Sequence, residues 1–145
     1  MLDHPQTQAL LDIHLDNARS LSPACSMHAL DHSGLQQPQI DFFTAWQGET
    51  LVGFGAIKDL GDGHGEIKSM HVAAGQRGQG LADDILTHLL DHARSLGMVR
   101  VSLETGSQDG FGPARKLYAK HGFDECQPFA DYIDDPNSFY MTRRL

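Results

Sequence analysis

No run of apolar residues in this chain approaches the roughly 20 needed to cross a bilayer as a helix, so neither a membrane span nor a membrane partner is expected. The opening stretch "MLDHPQTQALL" lacks a basic region followed by an apolar run, so no signal peptide is expected either. Cysteine is scarce: Cys25 and Cys126 stand alone and far apart. The two could pair, but two free buried thiols in a reducing cytoplasm is the favoured reading. Basic residues are also few, 11 Lys and Arg against 19 Asp and Glu, for a formal net charge of −8. A surface built to neutralise phosphates needs the opposite balance, so nucleic acid is excluded as the main partner. A small anionic ligand held by local groups is not excluded. Internal repeats and low-complexity linkers are absent, and 145 residues with 40% hydrophobic content suit a single domain over 1–145.

Helical and strand periodicities then alternate along the chain. Leu10, Leu11, His14, Leu15 and Ala18 fall at helical spacing within 5–20. A second short helix is expected around 26–32, stopped by Ser33-Gly34. "IDFFTAWQGETLVGFGAIKDL" reads as a β-hairpin turning at Gln47-Gly48-Glu49. "GDGHG" is a second turn, and Glu66 to Val72 a third strand. A helix follows over 81–96, with Leu81, Ile85, Leu89 and Ala93 on one face and Gly97 as its closing glycine. "VRVSLET" is a strand, Pro113 opens another helix closed by Gly122, "FDECQPF" starts a strand, and "SFYMTRRL" is the last. The fold class expected is α/β, with a mixed sheet and helices on both faces.

Three glycines within "GQRGQG" sit where a strand runs into a helix. Unpaired amides at a helix N-terminus bind phosphate, and glycine lets a ligand come close. The dinucleotide fingerprint fails, because Gly78-x-Gly80 is followed by Asp83, and a Walker A lysine is absent. A tight turn without ligand remains an equal reading of the glycines alone.

The surroundings add to this. "IKSMHVAAGQRGQGLADDIL" resembles the acyl-CoA-binding segment of the GNAT superfamily of N-acyltransferases, (Gln/Arg)-x-x-Gly-x-(Gly/Ala) opening a helix, with Gly78 and Gly80 in the two small positions and Gly75 departing from the pattern in the first. "PARKLYAKHGF" resembles the superfamily's second motif, A-x-x-L-Y-x-(Lys/Arg)-x-G-F, at the expected distance. With "HGEIKSMHV", "SLETGS" and "PFADYIDDPNSFYMT", the chain resembles one small bacterial subgroup of that superfamily. The resemblance implies a mostly antiparallel twisted sheet of six to seven strands, the first of which "MLDHP" is too short and polar to supply well.

It also implies acetyl-CoA as cosubstrate, no metal, and an acetyl group passed to a primary amine of a small molecule or an exposed protein amine. The backbone N–H groups of Arg77, Gly78, Gly80, Leu81 and Ala82 would surround the pyrophosphate. The backbone of Met70, His71 and Val72 would pair with the pantetheine arm and donate to the thioester carbonyl. Arg77, Arg115, Lys116 and Lys120 are candidates for the outer phosphates, each equally readable as solvated surface charge. Tyr118 matches the superfamily's tyrosine and would protonate the leaving thiolate, or else pack as a core aromatic. Glu66 ranks first as general base, with His64, His71 and Glu104 as alternatives. The acceptor cleft would lie between the 28–35 region and "PFADYIDDPNSFY", where Asp131, Asp134 and Asp135 either attract a cationic amine or make a turn. His28/His32 and His88/His92 are each spaced i, i+4, but a metal needs a third ligand that nothing supplies. A homodimer through the C-terminal strands is implied by the same resemblance. The rival reading is a non-catalytic acyl-CoA sensor, which would need neither Tyr118 nor a base.

Overall fold

The computed structural model describes residues 4–21, 32–76, 80–130 and 132–145. Among the described residues twelve elements follow one another, ten of them labelled here. They are α1 (Pro5–Leu21), α2 (His32–Leu35), β1 (Ile40–Gln47), β2 (Thr50–Gly61), β3 (His64–Val72), α3 (Leu81–Ser95), β4 (Arg100–Gly106), α4 (Gly112–Lys120), β5 (Asp124–Glu125) and β6 (Ser138–Arg144). The strands form one six-stranded sheet in the order β1-β2-β3-β4-β6-β5. Every adjacent pair is antiparallel except β3 and β4, which α3 links as a parallel crossover. The described chain opens on α1, with residues 1–3 lying outside.

Two apolar clusters cover the two sheet faces. Leu10, Leu11 and Leu15 of α1 meet Leu35, Ile40, Leu51, Phe54 and Ala56 on one face. On the other, Ile85, Leu86, Leu89, Leu90 and Ala93 of α3 pack with Ile57, Ile67, Val101, Leu103, Tyr118, Phe123 and Met141. β2 serves both faces by alternation, and it uses glycine where α3 presses closest. A Cβ on Gly53 would stand 2.7 Å from the His71 carbonyl oxygen and 2.8 Å from Ile85, and one on Gly55 2.8 Å from Ile85 and 2.9 Å from Leu89.

Three local expectations need correction. The expected stop at Ser33-Gly34 lies inside the helical turn α2, because Leu35 is buried to 1% against α1 and that burial outweighs the glycine's helix cost. The remainder of the expected 26–32 helix lies outside the described residues. β3 begins two residues early, at His64, where it already pairs with Arg100 of β4. The turn before it therefore shrinks to Asp62-Gly63, both left-handed as a two-residue hairpin demands. β5 shrinks to Asp124–Glu125, after which only the Cys126 amide still reaches the sheet, at Tyr140 O; Pro128 has no amide to continue the ladder.

Candidate active site

The site grows out of a defect in β3. Ala56 pairs with Ser69 while Ile57 pairs with Ile67, so Lys68 is an extra residue, a β-bulge. The bulge reverses the alternation. Ile67 faces the α3 cluster before it, and Met70 and Val72 pack on that cluster after it. Ser69 and His71 are buried, and the His71 ring stacks on Phe54, on the α1 face. At the same place the parallel ladder stops. β3 and β4 pair from His64–Arg100 to Ile67–Leu103 and no further, although β3 runs to Val72 and β4 to Gly106. The strands splay into a wedge, and Lys68–Val72 lie beyond the β3–β4 ladder.

The wedge opens towards the start of α3. Gly80, its N-cap, has φ +79°, a left-handed conformation that glycine adopts at little cost, and a Cβ there would meet nothing within 4 Å. The first helical bond runs from Asp84 N to Gly80 O, so the amides of Leu81, Ala82 and Asp83 have no acceptor within the helix. Asp83 does not block this end as a free charge. Its Oδ1 accepts Lys120 Nζ at 2.9 Å and His121 Nε2 at 2.8 Å, pinning α4 to α3, and those two donors hold its carboxyl below the usual range. Lys120 is therefore occupied within the protein. Arg115 donates to the carbonyls of Gly106 at 2.8 Å and Gln108 at 3.1 Å, and lies over the Phe139 ring, so it clamps the loop leaving β4. Arg77 and Gly78 lie outside the described residues.

Tyr118 of α4 sits in the α3-side cluster with its ring edge-on to Phe123, and burial pushes its phenol up to about 12. It holds its proton at any working pH.

The other face of the wedge is polar. Glu66 is 3% exposed, and its Oε2 accepts Tyr132 Oη at 2.5 Å and Lys68 Nζ at 3.3 Å; Lys68 also donates to Tyr132 Oη at 2.8 Å. Burial and the neighbouring Glu66 push the Tyr132 phenol far up. Glu104 follows Ser102 by two on β4 and so shares its face, in register with Tyr140 of β6. Burial pushes its carboxyl up to about 7, with Ser138 and Lys68 pulling it down and Glu66 and Asp135 adding to the rise. His64 stands at the paired end of β3, Nε2 2.6 Å from Ser102 Oγ, in a chain that continues to Thr142 Oγ1 and Arg100. Burial and Arg100 lower its pKa. The expected acceptor residues gather here: Phe129, Tyr132 and Tyr140 form a ring cluster, with Phe129 also against His64. Asp131 and His28 lie outside the described residues.

Sequence reasoning missed two features. Lys68 carried no signal beyond its charge. His14 of α1 and His71 face one another, Nδ1 to Nδ1 at 3.2 Å, and burial, then His71, lowers His14 to about 4. Of the two spaced histidine pairs, His28/His32 lies outside the described side chains, and His88/His92 serves another end. His88 and His92 both pack on Phe43, and His92 bonds Asp41 at 2.8 Å. Among the described residues no three metal-ligating side chains converge, and no helix is long and apolar enough to cross a membrane. Cys126 is a free thiol, pushed up by burial; Cys25 lies outside the described residues.

The fold has the plan of the acyltransferase scaffold that the sequence resembles. The profile of the acetyltransferase (GNAT) family matches residues 7–123. The uncharacterised N-acetyltransferase YsnE of Bacillus subtilis (strain 168) is 47% identical over 140 residues, 97% of this chain and 93% of its own length. The IAA acetyltransferase of Azospirillum brasilense is 40% identical over 126 residues, 86% of this chain and 81% of its own. A Klebsiella pneumoniae structure assigned as an acyl-CoA N-acyltransferase superposes with TM-score 0.79 at 26% identity, covering 99% of this chain and 92% of that one. A Bacillus subtilis acetyltransferase in complex with CoA shares the fold with TM-score 0.66 at 18% identity, over 90% and 92% of the two chains. The chain belongs to the acetyltransferase (GNAT) family.

Proposed function

We propose that this protein transfers the acetyl group of acetyl-CoA to an amine bound on the polar face of the β3–β4 wedge. The observation that carries this is the coincidence of the splay beyond Ile67 with the glycine-opened N-terminus of α3. One offers a row of strand amides and carbonyls to the amides of the pantetheine arm, through Met70, His71 and Val72. The other offers helix-terminal amides, at Gly80, Leu81 and Ala82, to a pyrophosphate, with Arg77 and Gly78 beside them in sequence. When bound, acetyl-CoA supplies the activated thioester. An edge amide of β3 would stabilise negative charge on its carbonyl oxygen, a contribution of about 3–4 kcal/mol where such donors have been removed.

Tyr118 keeps a phenolic proton for the departing sulfur. With the phenol near 12 and a free thiol near about 8.5, complete transfer is uphill by roughly 3–4 units, so Tyr118 acts first as a hydrogen-bond donor to the thiolate. Arg115 serves the same end of the site through the loop it clamps.

Two carboxylates are candidates to take the amine's proton. Glu66 ranks first on sequence position, but its Oε2 is engaged by Tyr132 and Lys68. Glu104, near 7, is matched to a general base at neutral pH. We assign the proton to Glu104.

Titration calorimetry with acetyl-CoA, with NAD as control, tests the reading, followed by a screen of amines, and of IAA because of the Azospirillum relative's name, with wild type, Tyr118→Phe and Glu104→Gln. Binding of acetyl-CoA with turnover lost in both variants is expected. Absence of binding at millimolar acetyl-CoA contradicts it. Sedimentation of the same sample tests the expected homodimer.

A further inference from the structure

The buried triangle of Glu66, Lys68 and Tyr132 joins two segments 64 to 66 residues apart in the chain, and it does so at the bulge where the wedge begins. An ion pair with side chains 10% and 4% exposed is a weak source of stability, because desolvating both charges offsets most of their attraction. What the triangle does hold is the connection between β5 and β6. This connection is tied within itself by Tyr132 N to Phe129 O at 3.0 Å, Ser138 N to Asp135 O at 3.0 Å and Tyr140 Oη to Ile133 O at 2.7 Å. Tyr132 brings it to β3, where its ring packs on Phe129 and Tyr140 beside Glu104. Each member depends on the others. The Tyr132 hydroxyl both donates to Glu66 and accepts from Lys68, and the Lys68 ammonium neutralises the Glu66 carboxylate.

We propose that Glu66 and Lys68 are positioning residues that act through Tyr132, latching the β5–β6 connection as the wall of the acceptor site so that the amine is held against Glu104. The inference rests on the acetyltransferase reading above for its functional arm, and on the structure alone for the latch.

Amide hydrogen exchange on the full chain tests the latch without any ligand. In Tyr132→Phe, Glu66→Gln and Lys68→Met, the amides of Tyr132 and Ser138 are expected to exchange at least tenfold faster, while those of β4 and α3 keep the wild-type rate. The Glu66→Gln/Tyr132→Phe double variant is expected to add little to either single one, as coupled partners require. Unchanged exchange at Tyr132 and Ser138, or equal acceleration throughout the sheet, overturns the latch.

The functional arm uses the amine turned over by the wild type. Tyr132→Phe is expected to raise the amine KM at least tenfold, with the calorimetric Kd for acetyl-CoA within twofold and the limb of the kcat pH profile near 7 retained. A fall in kcat with KM unchanged, or loss of that limb in Glu66→Gln, overturns the positioning role and places Glu66 in the chemistry. If acetyl-CoA does not bind the wild type, the acetyltransferase reading fails, and hydrogen exchange still decides the latch.

Discussion

The two faces of the sheet are built by different rules. On the α3 face, Leu86, Leu89, Ala93 and Val101 are fully buried in an apolar cluster, and β2 gives up two side chains at Gly53 and Gly55 so that the helix can close on it. On the opposite face polar groups are buried as well: Glu66 bonds Tyr132, Ser102 bonds His64, and His71 meets His14 where the α1 cluster adjoins them. The dry face sets how the chain folds. The polar face sets what the wedge can do, because a carboxyl near 7, a latched wall and a ring cluster all converge there. Dispersion and area burial tolerate little change in volume, whereas a polar set fails when one partner is lost.

Changes on the polar face are expected to cost activity and leave the fold. The largest effect is Glu104→Gln, which should lower kcat/KM by about 10²–10⁴-fold and remove the limb near pH 7. It should also stabilise the protein at pH 8. The folded carboxyl titrates near 7 rather than its ordinary 4.5, so the native state binds the extra proton and stability falls as pH rises from about 4.5 to 7. Glutamine removes that fall. Melting temperatures at pH 5 and pH 8 check it, and an equal pH dependence in both proteins would count against it.

Changes on the α3 face, Tyr118 apart, should do the reverse. Leu89→Ala leaves a hole in a fully buried site and is expected to cost about 2–5 kcal/mol, read by urea denaturation, with kcat unchanged in the protein that remains folded. Gly53→Ala sets a methyl against the His71 carbonyl and Ile85 and should cost about 1–3 kcal/mol. It is a sharper probe, since His71 lies in the wedge: a shift in acetyl-CoA Kd beyond the stability loss would show that the two faces are coupled through β3.

The smallest effect falls at the seam between α1 and β3. His14 titrates near 4 in the fold against an ordinary 6.5, so the unfolded chain binds the extra proton and stability falls as pH drops from about 6.5 to 4, by at most about 3 kcal/mol. His14→Phe should flatten this limb in a series of denaturation midpoints. A limb of unchanged depth would assign the acid sensitivity elsewhere.

The same division decides what was legible in the sequence. The α3 face is written at helical and strand periods, in Ile85, Leu89 and Ala93 and in the glycines that end α3 and α4, so element order and sheet class followed from it. The positions of Gly80 at the start of α3 and of Tyr118 within α4 were legible because both stand at fixed spacings within short motifs. Glu66, Lys68 and Tyr132 were not legible as a set, because only the folded sheet brings residues so distant in sequence together. The pairing of His14 with His71 depends on a bulge at Lys68 that turns His71 over, and no residue type marks it. The early end of β5 follows from where Pro128 meets the ladder, which local strand propensity does not report.

The most direct test of the wedge as the acyl-CoA site is amide hydrogen exchange with and without saturating acetyl-CoA. New protection is expected at Lys68–Val72 of β3 and at Leu81–Ala82 of α3, with the buried stretch Leu86–Ala93 unchanged. Protection confined to other elements, or none at millimolar acetyl-CoA, would contradict it.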